Sequence, residues 1–161
     1  MAEKTVSAKL KQESIKNILA ADGIVASIPQ LEELVNHVDK HEYFLGKKVK
    51  FHFTWHEALF SWYENIYKPI REYILNSVVL FAFPSCKPHK RLDFQLSIDH
   101  FLQGEKQMDL YFKISHEWYM ISVLNEVGNK PEAYPIDAVR NAILFHSKLP
   151  KIVRRLLTYL I

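Results

Sequence analysis

The sequence predicts one mostly α-helical domain over residues 1–161, and three observations predict it. Apolar residues recur at three- and four-residue spacing along most of the chain. Helix-start signatures stand at Ser27-Ile28-Pro29-Gln30 and at Thr54-Trp55-His56-Glu57. The composition, 48% apolar with 4 Gly and 1 Cys, describes a compact globular chain. It leaves no room for a disulfide framework, a Cys-rich zinc module or Gly-rich phosphate loops.

Residues 4–21 read as the first helix, with Leu10, Ile15, Ile18 and Leu19 on one side and Asp22-Gly23 as its break. Ser27 starts the second, with Gln30 at the capping-box position and Pro29 in the first turn. Its apolar face is Leu31, Leu34, Val35, Val38 and Leu45, and Gly46 is the expected stop. Residues 47–53 alternate, with Val49, Phe51 and Phe53 on one face, so a short strand is expected over 49–53. Thr54 and Glu57 cap a third helix carrying Trp55, Leu59, Trp62, Ile66, Ile70 and Tyr73. Pro69 lies inside that run and should kink or restart it near Lys68. Residues 78–83 are continuously apolar, which periodicity alone does not assign. Residues 92–98 alternate like a strand but could equally open a helix. Strands pairing with 78–83 would make the class α+β.

Leu110, Ile114, Trp118 and Ile121 mark a helix over 107–126, and Pro135 opens another with Ile136, Val139, Ile143 and Leu144 inward. Pro150 interrupts it before a last amphipathic helix. The aromatic residues fall at helical spacing, which makes most of them core, and Trp62-Tyr63 is expected to face Trp118-Tyr119 across a helix pair.

No window approaches ~18 consecutive apolar residues, so no transmembrane helix is expected. Met1-Ala2-Glu3-Lys4 lacks an apolar signal core, which predicts a cytoplasmic protein. The net charge of +3 is unevenly spread. From Ala138 to Ile161 there are five cations and no acid, whereas residues 1–137 hold sixteen cations against eighteen acids. A second basic cluster is Lys87, His89, Lys90 and Arg91. Such patches suit phosphate, anionic lipid or an acidic partner, and they also occur as ordinary solvated surface.

Glu33, His37 and His41, each four apart, place three ligand types on one helical stripe, a pattern that zinc or iron can use. The same spacing fits a polar flank beside a buried face. His41-Glu42, His56-Glu57 and His116-Glu117 do not extend to the metalloprotease pattern, because Phe60 and Met120 occupy the second histidine position in the last two. Cys86, between Ser85 and Lys87, has cations nearby that would favour a thiolate.

Tyr43-Phe44-Leu45-Gly46, followed by Thr54-Trp55-His56-Glu57-Ala58 and Ser61-Trp62-Tyr63-Glu64-Asn65-Ile66-Tyr67-Lys68-Pro69, resembles a bacterial domain of unknown function. That domain accompanies ParB-like partition or nuclease proteins and lipopolysaccharide-kinase-like proteins. Phe83-Pro84, Asp109-Leu110-Tyr111 and His116-Glu117-Trp118-Tyr119 extend the likeness over about residues 31–145. The segment between Phe83-Pro84 and Asp109 is longer here than in that family, and the attached ParB-like or kinase-like domain is absent. The resemblance implies a helical module associated with regulatory or DNA-associated proteins, and it transfers no catalytic residue.

The leading functional expectation is therefore a non-catalytic regulatory or adaptor module without a cofactor. It would bind nucleic acid or an acidic protein partner through Lys87, Lys90, Arg91, Lys151, Arg154 and Arg155. The second is a small metal-dependent enzyme or metal sensor holding a divalent metal on Glu33, His37 and His41. The third is a homo-oligomeric structural protein that buries residues 148–161 between protomers.

Overall fold

The computed structural model describes residues 6–49, 52–86, 104–118 and 135–161, and every regular element among them is helical. Helix α1 spans Ala8–Ala21, with Ser7 as its N-cap and Ile15 and Leu19 buried. It ends in a left-handed cap. Gly23 has φ 69°, its N–H donates to the Ala20 carbonyl at 3.0 Å, and the Ile24 N–H donates to Leu19 at 3.0 Å. That bond pair tucks Ile24 into the core and turns the chain toward the second helix.

Helix α2 spans Ile28–Val49. Gln30 Oε1 accepts from the Ser27 N–H at 2.9 Å, which is the half of the capping box expected of Gln30. Gly46 does not stop it. The helix runs three residues further, through part of the segment expected as a strand. Lys47 sits over the Tyr43 ring at 4.6 Å, one turn apart. This contact and the favourable placement of a cation in a last helical turn outweigh the cost of one glycine. Residues 52 and 53 are in no regular element, and 50–51 and 92–98 lie outside the described residues.

Helix α3, Trp55–Trp62, starts on a complete capping box. The Glu57 N–H donates to Thr54 Oγ1 at 3.3 Å, and the Thr54 N–H donates to Glu57 Oε2 at 2.7 Å. The chain then passes through a π-turn, Tyr63–Tyr67, into α4, Lys68–Ile74. Pro69 explains the wide turn. It has no N–H, and its ring would meet the carbonyl one regular turn back. In the π-turn the Lys68 N–H bonds instead to Tyr63, five residues earlier. The helix restarts where Pro69 requires.

Helix α5, Ser77–Ala82, makes the apolar run helical through 82, with Phe83 as its C-cap, because the Asn76 side chain accepts from the Val78 N–H and starts a turn. A short 3-10 turn, Pro84–Cys86, follows. Residues 104–118 form α6, Pro135–His146 form α7 and Lys151–Thr158 form α8.

Helices α1, α2 and α3 pack in sequence; α4 lies on α7, and α5 and α8 lie beside α7. The α3–π–α4 rod therefore joins the two halves. Helix α6 is the element they share. Met108, Leu110, Tyr111 and Ile114 are buried. Tyr111 lies 5.5 Å from the Tyr67 ring, 6.1 Å from Trp62 and 6.0 Å from His37. Tyr111 and Tyr67, the latter at 5.5 Å, are ring partners of Trp62; the expected pairing of Trp62-Tyr63 with Trp118-Tyr119 falls in part on Tyr119, which lies outside the described residues. Gly104 admits α6 to the core, since a Cβ there would stand 3.1 Å from the Val25 backbone nitrogen. Buried residues from α1 through α8 form one hydrophobic cluster.

Candidate functional site

The charged residues of the C-terminal segment separate into two sets. Arg140 donates to the Ile161 carbonyl at 3.2 Å and pairs with Asp137 at 3.3 Å. Arg154 donates to the Leu144 carbonyl. That carbonyl is among the last four of α7, which have no partner within their own helix. Both arginines thus hold α8 against α7. Lys148, Lys151 and Arg155 point to solvent.

The apolar residues of α8 separate in the same way. Leu157 is buried, and Leu149, Val153 and Ile161 pack partly against the core. Ile152 is 72% exposed, Leu156 61% and Leu160 70%, and beside them Tyr159 is 85% exposed. Phe145, near the end of α7, is 69% exposed. The helix has too many apolar positions for its contact with the body to cover. Two full turns of α8 therefore carry three arcs. One docks on the body, one is aliphatic and open, and one is cationic and open.

Of the residues expected to bind nucleic acid or a partner, Lys151 and Arg155 lie on this surface, side by side one turn apart. Arg154 does not, because its guanidinium is engaged within the fold. Lys87, Lys90 and Arg91 lie outside the described residues.

Glu33, His37 and His41 do not converge. A four-residue spacing drifts about 40° per step on an α-helix, so the three fan over about 80°. Glu33 is exposed. His37 is buried beside Phe112, ring centroids 5.5 Å apart, and beside Tyr111. His41 reaches Ser61 on α3, Nε2 to Oγ 3.0 Å. Among the described residues no three His, Cys, Asp or Glu side chains are grouped to hold a metal. Burial lowers both imidazoles from 6.5 to about 4, aided at His37 by Lys40 and His116.

A histidine bonded to a serine has the geometry of a base and nucleophile. Here Ser61 Oγ also accepts from Asn65 Nδ2 at 3.2 Å. Ser61 stands inside α3, where backbone N–H groups are taken up by the helix, so they do not form an oxyanion hole. An imidazole held near pKa 4 is also a poor base at neutral pH. The pair joins two helices. Cys86 is likewise not an activated thiol. It is buried, its Sγ contacts the Lys106 carbonyl at 3.4 Å, and burial pushes its pKa up.

The polar connections that periodicity did not reveal are structural. Asp39 accepts from Trp55 Nε1 at 2.7 Å and pairs with Lys11 at 2.8 Å, which ties α1, α2 and α3 together. Asp22 meets the Tyr63 hydroxyl at 3.4 Å and Arg71 at 3.8 Å, at the outer side of the π-turn. Asp22 is the acceptor for the Tyr63 hydroxyl. No helix among the described residues is long and apolar enough to cross a membrane. Compared with known proteins, the chain matches no family model, no curated protein and no solved structure.

Proposed function

We propose that the protein is a non-catalytic docking module that binds an acidic, partly apolar counter-surface through α8 and the end of α7. The observation that carries this reading is the open aliphatic arc of Ile152, Leu156 and Leu160 beside Lys151 and Arg155. Neither component alone would suffice. Surface lysines and arginines are ordinary, and single exposed leucines are ordinary. A contiguous apolar stripe rimmed by one sign of charge is the pattern of an interaction surface.

The apolar arc also favours one expected partner class over another. Phosphate backbones pair with cations but do not cover aliphatic side chains. The counter-surface must therefore offer both anionic groups and apolar area. A symmetric pairing of two α8 helices is disfavoured by charge, because an antiparallel two-fold contact sets Lys151 and Arg155 of one copy against the same residues of the other.

The test is fluorescence anisotropy across a salt series with two labelled probes. One is a random DNA duplex and the other a Glu/Leu amphipathic helical peptide. The peptide is expected to bind in a salt-sensitive manner, and Lys151→Ala with Arg155→Ala, or Leu156→Ser alone, should weaken it. The duplex should bind less tightly and ignore Leu156→Ser. Tight duplex binding indifferent to Leu156→Ser would restore the nucleic-acid reading. Binding of neither probe at low salt, with no response to either variant, would remove α8 as an acidic-partner surface.

A further inference from the structure

We infer that the counter-surface is an anionic lipid bilayer, on which α8 lies in plane; this rests on the docking function proposed above. Three features of the molecule lead to it.

The first is the order of side chains around α8. At about 100° per residue, Ile152 and Leu156 lie about 40° apart on α8, and Leu160 is exposed just beyond its C-terminal end. Lys151 and Arg155 follow on one side, about 80–120° from the middle of that pair. The docked residues Val153 and Leu157 follow on the other. When the aliphatic arc points into the acyl boundary, Lys151 and Arg155 sit at the height of the lipid headgroups. Tyr159, at the edge of the arc, then spans the boundary with its ring in the apolar layer and its hydroxyl in the polar one. Such a helix inserts only its apolar edge, which is how in-plane amphipathic helices bind.

The second is the charge asymmetry of the chain. The last 24 residues hold five cations and no acid, while the remainder carries a small negative excess. A negatively charged plane attracts the first and repels the second. Of those five cations Lys148, Lys151 and Arg155 face solvent, and they favour the approach of α8 to an anionic membrane. A protein partner would need an acidic groove shaped to two helical turns, whereas a bilayer supplies anionic headgroups and acyl chains together.

The third is that the surface is already folded. Arg154 to the Leu144 carbonyl, Arg140 to the Ile161 carbonyl and buried Leu157 hold α8 in place. Many amphipathic segments must fold as they bind and lose affinity to ordering. Here that cost is met within the fold, so a short helix with few inserted side chains is sufficient.

The experiment is co-sedimentation of the full chain with vesicles of phosphatidylcholine alone and of phosphatidylcholine mixed with phosphatidylserine, beside the Glu/Leu peptide titration. The chain should bind the phosphatidylserine vesicles, lose most of that binding at high salt and bind the neutral vesicles at least tenfold less. Lys151→Ala with Arg155→Ala should weaken binding about thirtyfold, since each cation near such a surface contributes about 1 kcal/mol. Ile152→Ser or Leu156→Ser should weaken it about tenfold or more. Both positions are exposed, so circular dichroism should show these variants folded. Equal binding to neutral and anionic vesicles overturns the inference. Binding of the peptide but not the vesicles also overturns it, while leaving the docking function in place. Binding of neither removes both.

Discussion

Arg154 donates to the Leu144 carbonyl and so closes the C-terminal end of α7 with a side chain from α8. Arg155, the next residue, is exposed. Two adjacent arginines therefore have opposite roles, and the difference is measurable. Arg154→Ala removes a charged donor from a carbonyl without an intrahelical partner and should cost about 1–3 kcal/mol of stability. Arg155→Ala should stay within about 0.5 kcal/mol of the parent. Urea denaturation of the two variants checks the contrast. Equal losses would mean that Arg154 does not hold the two helices together.

Acid should loosen the fold earlier than its carboxylates alone would. Burial lowers His37 and His41 from 6.5 to about 4. The unfolded chain takes up protons on these residues below about pH 6.5, and the native chain resists until about pH 4. Their contribution is complete above pH 6.5 and is lost as pH falls toward 4. Each tenfold change in proton affinity is worth about 1.4 kcal/mol, so each histidine destabilises the fold by a few kcal/mol across that window. Thermal melts should show Tm falling between pH 6.5 and 4, with a shallower fall in His37→Gln or His41→Gln. An unchanged slope in both variants would contradict the buried neutral imidazoles.

Gly104→Ala should be destabilising although the position lies in a helix, where alanine is ordinarily the better residue. Its Cβ would stand 3.1 Å from the Val25 nitrogen and 3.3 Å from the Val25 oxygen. Both are backbone atoms, so α6 or the α1–α2 connection must shift. A loss of about 1–3 kcal/mol is expected from chemical denaturation. A gain in stability would show that α6 does not approach Val25 so closely.

Thr54→Ala should cost about 1 kcal/mol by removing half of the α3 capping box. It should also move a titration. The Thr54 N–H and hydroxyl hold the Glu57 carboxyl below its usual range. Removing the hydroxyl should shift Glu57 upward, toward an ordinary glutamate, in a carbon-13 NMR titration. An unmoved Glu57 would show that the backbone N–H alone sets its charge.

The helical class, both helix starts and the restart at Pro69 were legible in the residues, because each depends on local chemistry. Thr54 and Glu57 are three apart and need nothing from elsewhere in the chain. Of the strand expected at 49–53, Val49 is helical and 52–53 are in no regular element, because alternation over so few residues competes poorly with a helix already propagating toward it. Continuing a helix past Gly46 is easier than nucleating a strand without a neighbour. Arg154 and Arg155 were indistinguishable in sequence, since their separation depends on where Leu144 lies. Tyr111 at the centre of the aromatic cluster depends on a close approach of α6 at Gly104 that apolar periodicity does not encode. Glu33, His37 and His41 illustrate the opposite limit, where a regular spacing suggested convergence and the pitch of the helix spread the side chains apart.

Trp62, Ile66, Ile70 and Ile74 are all buried, and each lies four residues after the last. In an uninterrupted α-helix three such steps would rotate the final residue about 120° away from the first. The π-turn at Tyr63–Tyr67 adds close to one residue to one turn, and so takes back about 100° of that rotation. It acts as a phase corrector, bringing a period-four repeat into line with a helix of period 3.6. Deleting one residue such as Asn65 would let the segment close into a regular α-helix with eleven steps from Trp62 to Ile74, about 20° of rotation, so Ile70 and Ile74 would keep facing the core. The turn thus holds one spare residue of length, and losing it would return the Pro69 ring to the carbonyl one regular turn back.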